Sequence, residues 1–307
     1  MKKFLVLIAL ACLVLLIWGG PKAYSARSYQ NAWDLGHLLL FAALTLLVLK
    51  SSKTIANWSF IKQLAIILAA VLLASFVIEL AQRGMAFRNP DIFDILRNFI
   101  GSLFTFAFFS LSRKCIHPGR LRAFRMAVLF VVALSVIPLA VAVSDEIIAS
   151  NQFPILSDFE SPFEQARWSG EAGYALETGH ARRGKKSMKI VLHTTQYSGV
   201  ALDYFPHDWR NYEYLKFSIF NGSDETLHLV CRIHDNSHYD NGGEYDDRFN
   251  KNLYFHQGWN DIAISLKEVE HSPKGRKMDL RRIQAMGIFS VNLLSERIIY
   301  LDYVRLE

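Results

Sequence analysis

The sequence predicts two parts of different class: a multi-pass α-helical membrane bundle of about five spans, followed by an all-β sandwich. Three observations carry this. Long apolar runs crowd the first half and are missing from the second. After about residue 151 the pattern changes to short runs rich in Val, Ile, Phe and Tyr, separated by Gly, Asn, Asp and Pro. The charge divides at the same place. Residues 1–143 hold 15 Lys+Arg against four acids (Asp34, Glu79, Asp91, Asp94), a net of +11, and residues 144–307 hold 19 against 24, a net of −5. The overall +6 therefore belongs to the apolar half, where cations flank spans, and a nucleic-acid-binding protein is excluded.

Five apolar runs cover residues 4–20, 35–49, 61–80, 99–111 and 123–143. A bilayer crossing takes about 20 helical residues. The first, third and fifth runs suffice alone; the second and fourth need their polar flanks to continue the helix. Lys2 and Lys3 before the first run invite a cleaved signal peptide, but no small-x-small site precedes Trp18, so the run is kept as a span. Ala9-Leu10-Ala11 before Cys12, with Leu13–Trp18 continuing the apolar run, argues against lipidation. Lys and Arg number ten in the N-terminus, the 50–62 loop and the 112–125 loop, against five in the 21–34 and 81–98 loops. This places the N-terminus in the cytoplasm and residues 144–307 outside.

Polar residues break the apolar pattern at three places. Asp34 and His37, i and i+3, share a helix face. Glu79 and Gln82 share another. Arg88-Asn89-Pro90-Asp91 reads as a helix start, after which Asp91, Asp94, Asn98 and Gly101 fall on one face. On the topology above, all three meet near the outer membrane surface, with Arg88 and Arg97 as partners for the carboxylates. Ionisable groups within spans lean towards function, so Asp34, His37, Glu79, Gln82, Arg88, Asp91, Asp94 and Asn98 form a candidate polar site for a lipid or lipid-linked headgroup. A salt-bridge network that only fixes helix packing is the plainer reading.

Asp34-Leu35-Gly36-His37, Glu79-Leu80-Ala81-Gln82 and Arg88-Asn89-Pro90-Asp91-Ile92-Phe93-Asp94 with Asn98 and Gly101 resemble the VanZ family over about residues 1–125. Leu35 departs from the Lys common in that family, and Thr105 from a common Gly. The resemblance implies a bacterial cytoplasmic (inner) membrane protein of the cell envelope, linked to glycopeptide (teicoplanin) resistance.

Residues 144–154 read as a linker and 155–307 as the exported sandwich. Strands are expected at 155–160, 187–193, 199–204, 214–220, 226–234, 253–256, 260–266, 286–291 and 298–306, with a helical turn near 279–283. No disulfide is expected, and Cys231 reads as a small core residue. Gly179–Ser187 (GHARRGKKS) imitates a phosphate-binding loop, but Lys186 stands where Ser or Thr must follow Gly-Lys. Asp235–Asp247 is acidic enough for calcium, though its spacing does not fit an EF-hand loop; no transition metal and no other cofactor is expected.

The candidate ligand-binding set is Tyr197, Trp209, Arg232, His234, Asp235, His238, Tyr239, Asp247 and Arg248, because aromatic rings take the C–H faces of sugars and planar polar groups take hydroxyls. Trp259 is assigned to the core. Gly184–Lys189, Asp208-Trp209, Arg232–Asp235, Asp247–Asn250, Gly258–Asn260 and Tyr300–Leu306 resemble galactose-binding-like jelly-roll domains of carbohydrate-binding modules, which implies a glycan partner. The sequence thus favours a non-enzymatic envelope protein binding a headgroup and a glycan. The alternative is an enzyme acting on a lipid-linked cell-wall intermediate, with His37, Glu79, Asp91 and Asp94 as acid–base groups.

Overall fold

A computed structural model describes residues 7, 20–21, 25–82, 91–110 and 116–307. The first apolar run lies outside the described residues apart from Leu7 and Gly20, as does Arg88. The chain divides into two units, Met1–Val143 and Ser144–Glu307.

The first unit contains α1 (Arg27–Ser51), the short α2 (Lys53–Ala56), α3 (Phe60–Gln82), α4 (Ile92–Phe109) and most of α5 (Pro118–Gln152). Among the described residues, α1, α4, α5 and Phe60–Ile78 of α3 are long and apolar enough to cross a bilayer by length and composition. The polar flanks do extend the short second and fourth runs. Asp91, expected inside the first turn behind an Asn89 cap, itself caps α4, its carboxylate accepting from the Phe93 N–H at 2.9 Å, and the helix begins at Ile92.

Helices α1 and α4 approach so closely that a Cβ on Gly101 would lie 2.0 Å from the Leu38 carbonyl oxygen. Around this crossing the polar side chains point inward. Thr45 donates to Ser102 at 2.9 Å, and Thr105 to the Ala42 carbonyl at 2.8 Å. Ser110 donates to Gln63 at 3.1 Å. Outward stand Ile61, Leu73, Phe76 and Phe130, all largely exposed.

Residues 144–152, expected as linker, are instead the last turns of α5. They contain no Gly or Pro, so nothing stops the helix before Pro154. Within the second unit Asp145 on these turns is buried, and accepts from the Arg167 Nε at 2.9 Å.

The sandwich has two antiparallel sheets. One runs β3 (Gly173–Glu177), β4 (Ser187–Leu192), β11 (Arg297–Leu306), β6 (Tyr214–Asn221), β9 (Gly258–Ser265), with β1 (Ile155–Ser157) beside β11. The other runs β2 (Trp168–Gly170), β5 (Tyr197–Leu202), β10 (Ile283–Val291), β7 (Leu227–Asp235), β8 (Phe249–Phe255). Alternation sends Leu215, Phe217 and Ile219 of β6 and Leu229, Cys231 and Ile233 of β7 into the shared core. Burial pushes the Cys231 thiol up to about 12, as suits an inert core residue. The strand expected at 155–160 stops at Ser157, two residues before Phe159 adopts a positive φ of 62°. Near 279–283 the chain makes a turn, closed by the Arg282 N–H on the Asp279 carbonyl at 2.9 Å. The basic 179–187 loop holds no ligand geometry of its own: its backbone N–H groups donate to Asp302 (from Arg182, 2.6 Å) and Glu160 (from Lys185, 2.6 Å).

Gly101→Ala is expected to force α1 and α4 apart and lower the thermal stability of the full chain in detergent. The loss should be about 1–3 kcal/mol, the usual cost of overpacking, read as a lower midpoint in a thermal-shift assay; an unchanged midpoint would show that the crossing has slack.

Candidate functional site

Two constellations emerge, one in each unit. In the helical unit the predicted faces do meet. Arg97 lies 3.2 Å from Asp34, 3.6 Å from Asp91 and 2.6 Å from Asp94. Behind it His37, almost fully buried, places Nε2 3.4 Å from Asp94 and Nδ1 3.3 Å from the Asn98 side-chain oxygen. The Asn98 amide donates onward to Ser75 at 2.9 Å, tying α4 to α3. The structure therefore brings together Asp34, His37, Asp91, Asp94 and Asn98, with Arg97 at the centre. Glu79 and Gln82 lie on the last turn of α3, and their side chains are outside what the structure describes.

In the second unit a groove of about 650 Å³ opens on the outer face of the five-stranded sheet. The residues of β5, β10, β7 and β8 that alternate away from the core form it. Its floor is low because Gly199, Ala201 and Gly287 stand there. Tyr197 and Phe289 meet edge to face with centroids 6.0 Å apart, and Tyr245 adds a third ring. Arg232, Arg248, Asn250 and Asn252 supply the polar groups. Of the predicted binding set, Tyr197, Arg232 and Arg248 line this groove. Phe289, Tyr245, Asn250 and Asn252 were missed. The two asparagines follow from the alternation of β8 once that strand is known to begin at Phe249 rather than Leu253.

The other predicted residues are corrected by burial. Trp209 is fully buried in the sandwich core, against Phe205 at 5.4 Å, and faces no ligand. Trp259, assigned to the core, is instead partly exposed and packs edge-on against Phe220 at 5.5 Å. Asp235 and Asp247 are occupied by Arg276, a residue the sequence did not single out. Its Nη1 donates to Asp235 at 2.6 Å and its Nε to Asp247 at 2.5 Å. Asp235 also accepts from the Asp279 N–H at 2.7 Å. The guanidinium holds the Asp247 carboxyl down to about 2. With these oxygens filled, the 235–247 stretch is a cross-link rather than a calcium loop, and among the described residues no group of three or more His, Cys, Asp or Glu could hold a metal ion.

His234 and His238 are both buried, their rings 4.7 Å apart, with Tyr239 edge-on to His234 at 5.2 Å and itself partly exposed. They form the packed end of the excursion beside the groove rather than its surface. Burial, reinforced by the charges of Arg232, His238 and Arg248, pushes the His234 imidazole down to about 3, so it is neutral. Neither of its ring nitrogens has a hydrogen-bond partner.

No family model matches the chain, so none supports the resemblance drawn for residues 1–125, and no curated protein matches it either. Among solved structures, an exo-beta-agarase is similar over 50% of this chain and 24% of its own, at 16% identity and TM-score 0.38, so the match spans about a quarter of that enzyme. A family 11 carbohydrate-binding module from Clostridium thermocellum, in complex with a beta-1,3-1,4-mixed-linked tetrasaccharide, is similar over 50% of this chain and 93% of its own, at 18% identity and TM-score 0.37. A solution structure of CtCBM11 is similar over 50% and 92%, at 19% identity and TM-score 0.39.

The His234 shift has a signed consequence. Its folded pKa of about 3 lies below the ordinary 6.5, so the stability it contributes is present above pH 6.5 and lost as pH falls towards 3. Asp247, held down to about 2, loses its contribution only below about pH 4. Between pH 6.5 and 4 the midpoint of the wild-type chain should fall more steeply than that of His234→Phe; equal slopes would show that the imidazole is solvated.

Proposed function

We propose that the protein is a membrane-anchored glycan-binding protein whose ligand lies in the groove on the outer face of the five-stranded sheet. The observation that carries this is the makeup of that groove. Three aromatic rings stand beside a floor of small residues, with two guanidinium groups and two side-chain amides lining the same space. Rings take the apolar faces of pyranoses, and amides and guanidinium groups pair with hydroxyls in one plane. Glu171 is the one carboxylate in the lining, so the groove lacks the paired acids that a glycosidase needs.

Anchoring rests on the inverted polarity of the helical unit, with its polar side chains inside and its large apolar ones outside, as lipid contact requires. The Arg97 cluster is read as the place where the membrane half meets a polar headgroup. The link to glycopeptide (teicoplanin) resistance rests on the resemblance of residues 1–125 alone. The His37–Asp94 contact has the form of an acid–base pair for the enzymatic alternative. His37 is only 1% exposed and bonded to Asn98, which supports a packing role over catalysis.

The test is binding of the full chain, in detergent micelles, to an array of bacterial and plant polysaccharides. Gly287→Phe should abolish that binding while leaving the circular dichroism spectrum intact. A Cβ there meets nothing nearer than 3.6 Å, so the ring would rise into the groove without breaking the sheet. A wild-type chain that retains no polysaccharide, or a filled groove that still binds, would overturn the proposal.

A further inference from the structure

Among the arginines of the sandwich, Arg232 and Arg248 alone bury an Nε with no acceptor among the described residues. Arg182, Arg210, Arg276, Arg297 and Arg305 are each paired with a carboxylate. Neither Arg232 nor Arg248 makes a hydrogen bond or ion pair to any described residue. Each has its Nε atom buried with no acceptor, and the buried side-chain oxygen of Asn250, directly across from Arg232 in the sheet register, has no donor. Unsatisfied N–H groups of a cation in a partly dry site are costly unless something supplies acceptors. Each guanidinium also lies beside a ring: Arg232 is 6.0 Å from the centroid of Phe289, and Arg248 5.3 Å from that of Tyr245. The Arg232 Nε sits 3.6 Å from where a Cβ on Gly287 would be, so this guanidinium lies along the floor.

We infer that the ligand is an anionic glycan, a polysaccharide of hexuronate residues, whose carboxylates are received by Arg232 and Arg248. The inference rests on the glycan reading of the groove and names the class of sugar. A uronate carboxyl projects from the edge of the pyranose ring. A sugar stacked on Phe289 or Tyr245 therefore presents its carboxylate edge-on to the adjoining guanidinium fork, which accepts it bidentately. Burial and the like charge of Arg232 both lower the Arg248 pKa, and an anion placed between the two would relieve that repulsion. Asp203, close enough to feel the Arg232 charge, is already held by the Ser169 hydroxyl at 2.5 Å, and Glu171 is exposed at the rim.

The experiment compares oligogalacturonate with its methyl ester, the same chain without charge, by titration calorimetry on the full protein in detergent. The acid should bind at least about tenfold more tightly than the ester, the usual scale of a charge-assisted pair, and its affinity should fall with added salt. Arg232→Gln and Arg248→Gln should each draw the acid-to-ester ratio towards one, and Arg232→Lys, which keeps the charge without the fork, should restore part of it. Equal binding of acid and ester, or a ratio unchanged in both glutamine variants, overturns the anionic assignment and leaves the glycan reading standing. A sulfated galactan or a phosphate-bearing teichoic acid that binds more tightly than the uronate overturns the carboxylate in favour of another oxyanion. Binding of none of these, nor of any neutral glycan, overturns both.

Discussion

The groove in the β-sandwich depends on one cation. Arg276 sits in the segment before β10 and uses its planar fork on two aspartates at once. Asp235 lies at the end of β7, and Asp247 just ahead of β8. These strands are neighbours in the sheet, and the excursion between them carries Tyr245 and, at its end, Arg248. Asp235 is fully buried and the guanidinium mostly so, and buried charges of this kind are tolerated only in pairs. Closing the pair fixes both ends of the excursion, and so fixes where a ring and a guanidinium face the open sheet. The same pairing occupies Asp235 and Asp247 at the two ends of this acidic stretch.

The two units distribute polar and apolar side chains in opposite ways. In the sandwich, apolar side chains from both sheets fill the middle, and the charged side chains that are buried, such as Asp235 and Arg167, are paired. In the helical unit His37, Thr45, Gln63, Ser75, Asn98, Ser102 and Thr105 are buried, and leucine, isoleucine and phenylalanine face outward. The absence of a side chain at Gly101 lets α1 and α4 come close, and hydroxyls then bond across the gap. The inward polar residues bond to one another across the helix crossings, and at the Arg97 end of the row three carboxylates converge on one guanidinium.

Much of this was legible in the residues. The charge division at 143/144 coincides with the division between units, and the spacing that places Asp94 and Asn98 on one face of α4 also brings them to His37, while Asp91 caps the helix and meets Arg97. Strands with clean alternation, such as β6 and β7, are where composition places them. What failed was depth. Trp209 and Trp259 both stand among polar neighbours, and local sequence does not say which ring the opposite sheet covers. Nor does it reveal Arg276, whose partners lie 41 and 29 positions away. The short β2 and β3 were not expected; each is only three to five residues long, includes a glycine, and adds to a sheet edge.

The glycines of the groove separate space made for packing from space left open. Gly199 has no choice: a Cβ there would fall 2.2 Å from the Ile288 carbonyl and 2.4 Å from the Phe289 Cβ, so the close approach of β5 and β10 demands it. Gly287 is different. A Cβ at that position would make only ordinary contacts, with Arg232 and a carbonyl at 3.6 Å or more, and nothing in the backbone forbids a side chain. An interior strand position normally favours a β-branched or aromatic residue, and glycine there weakens the strand. A side chain at this position would lie against the Arg232 guanidinium. Arg232, for its part, extends across the vacant position with its Nε unpartnered. The missing side chain and the donor without an acceptor among the described residues thus stand side by side on the groove floor, which is the geometry on which the ligand proposal rests.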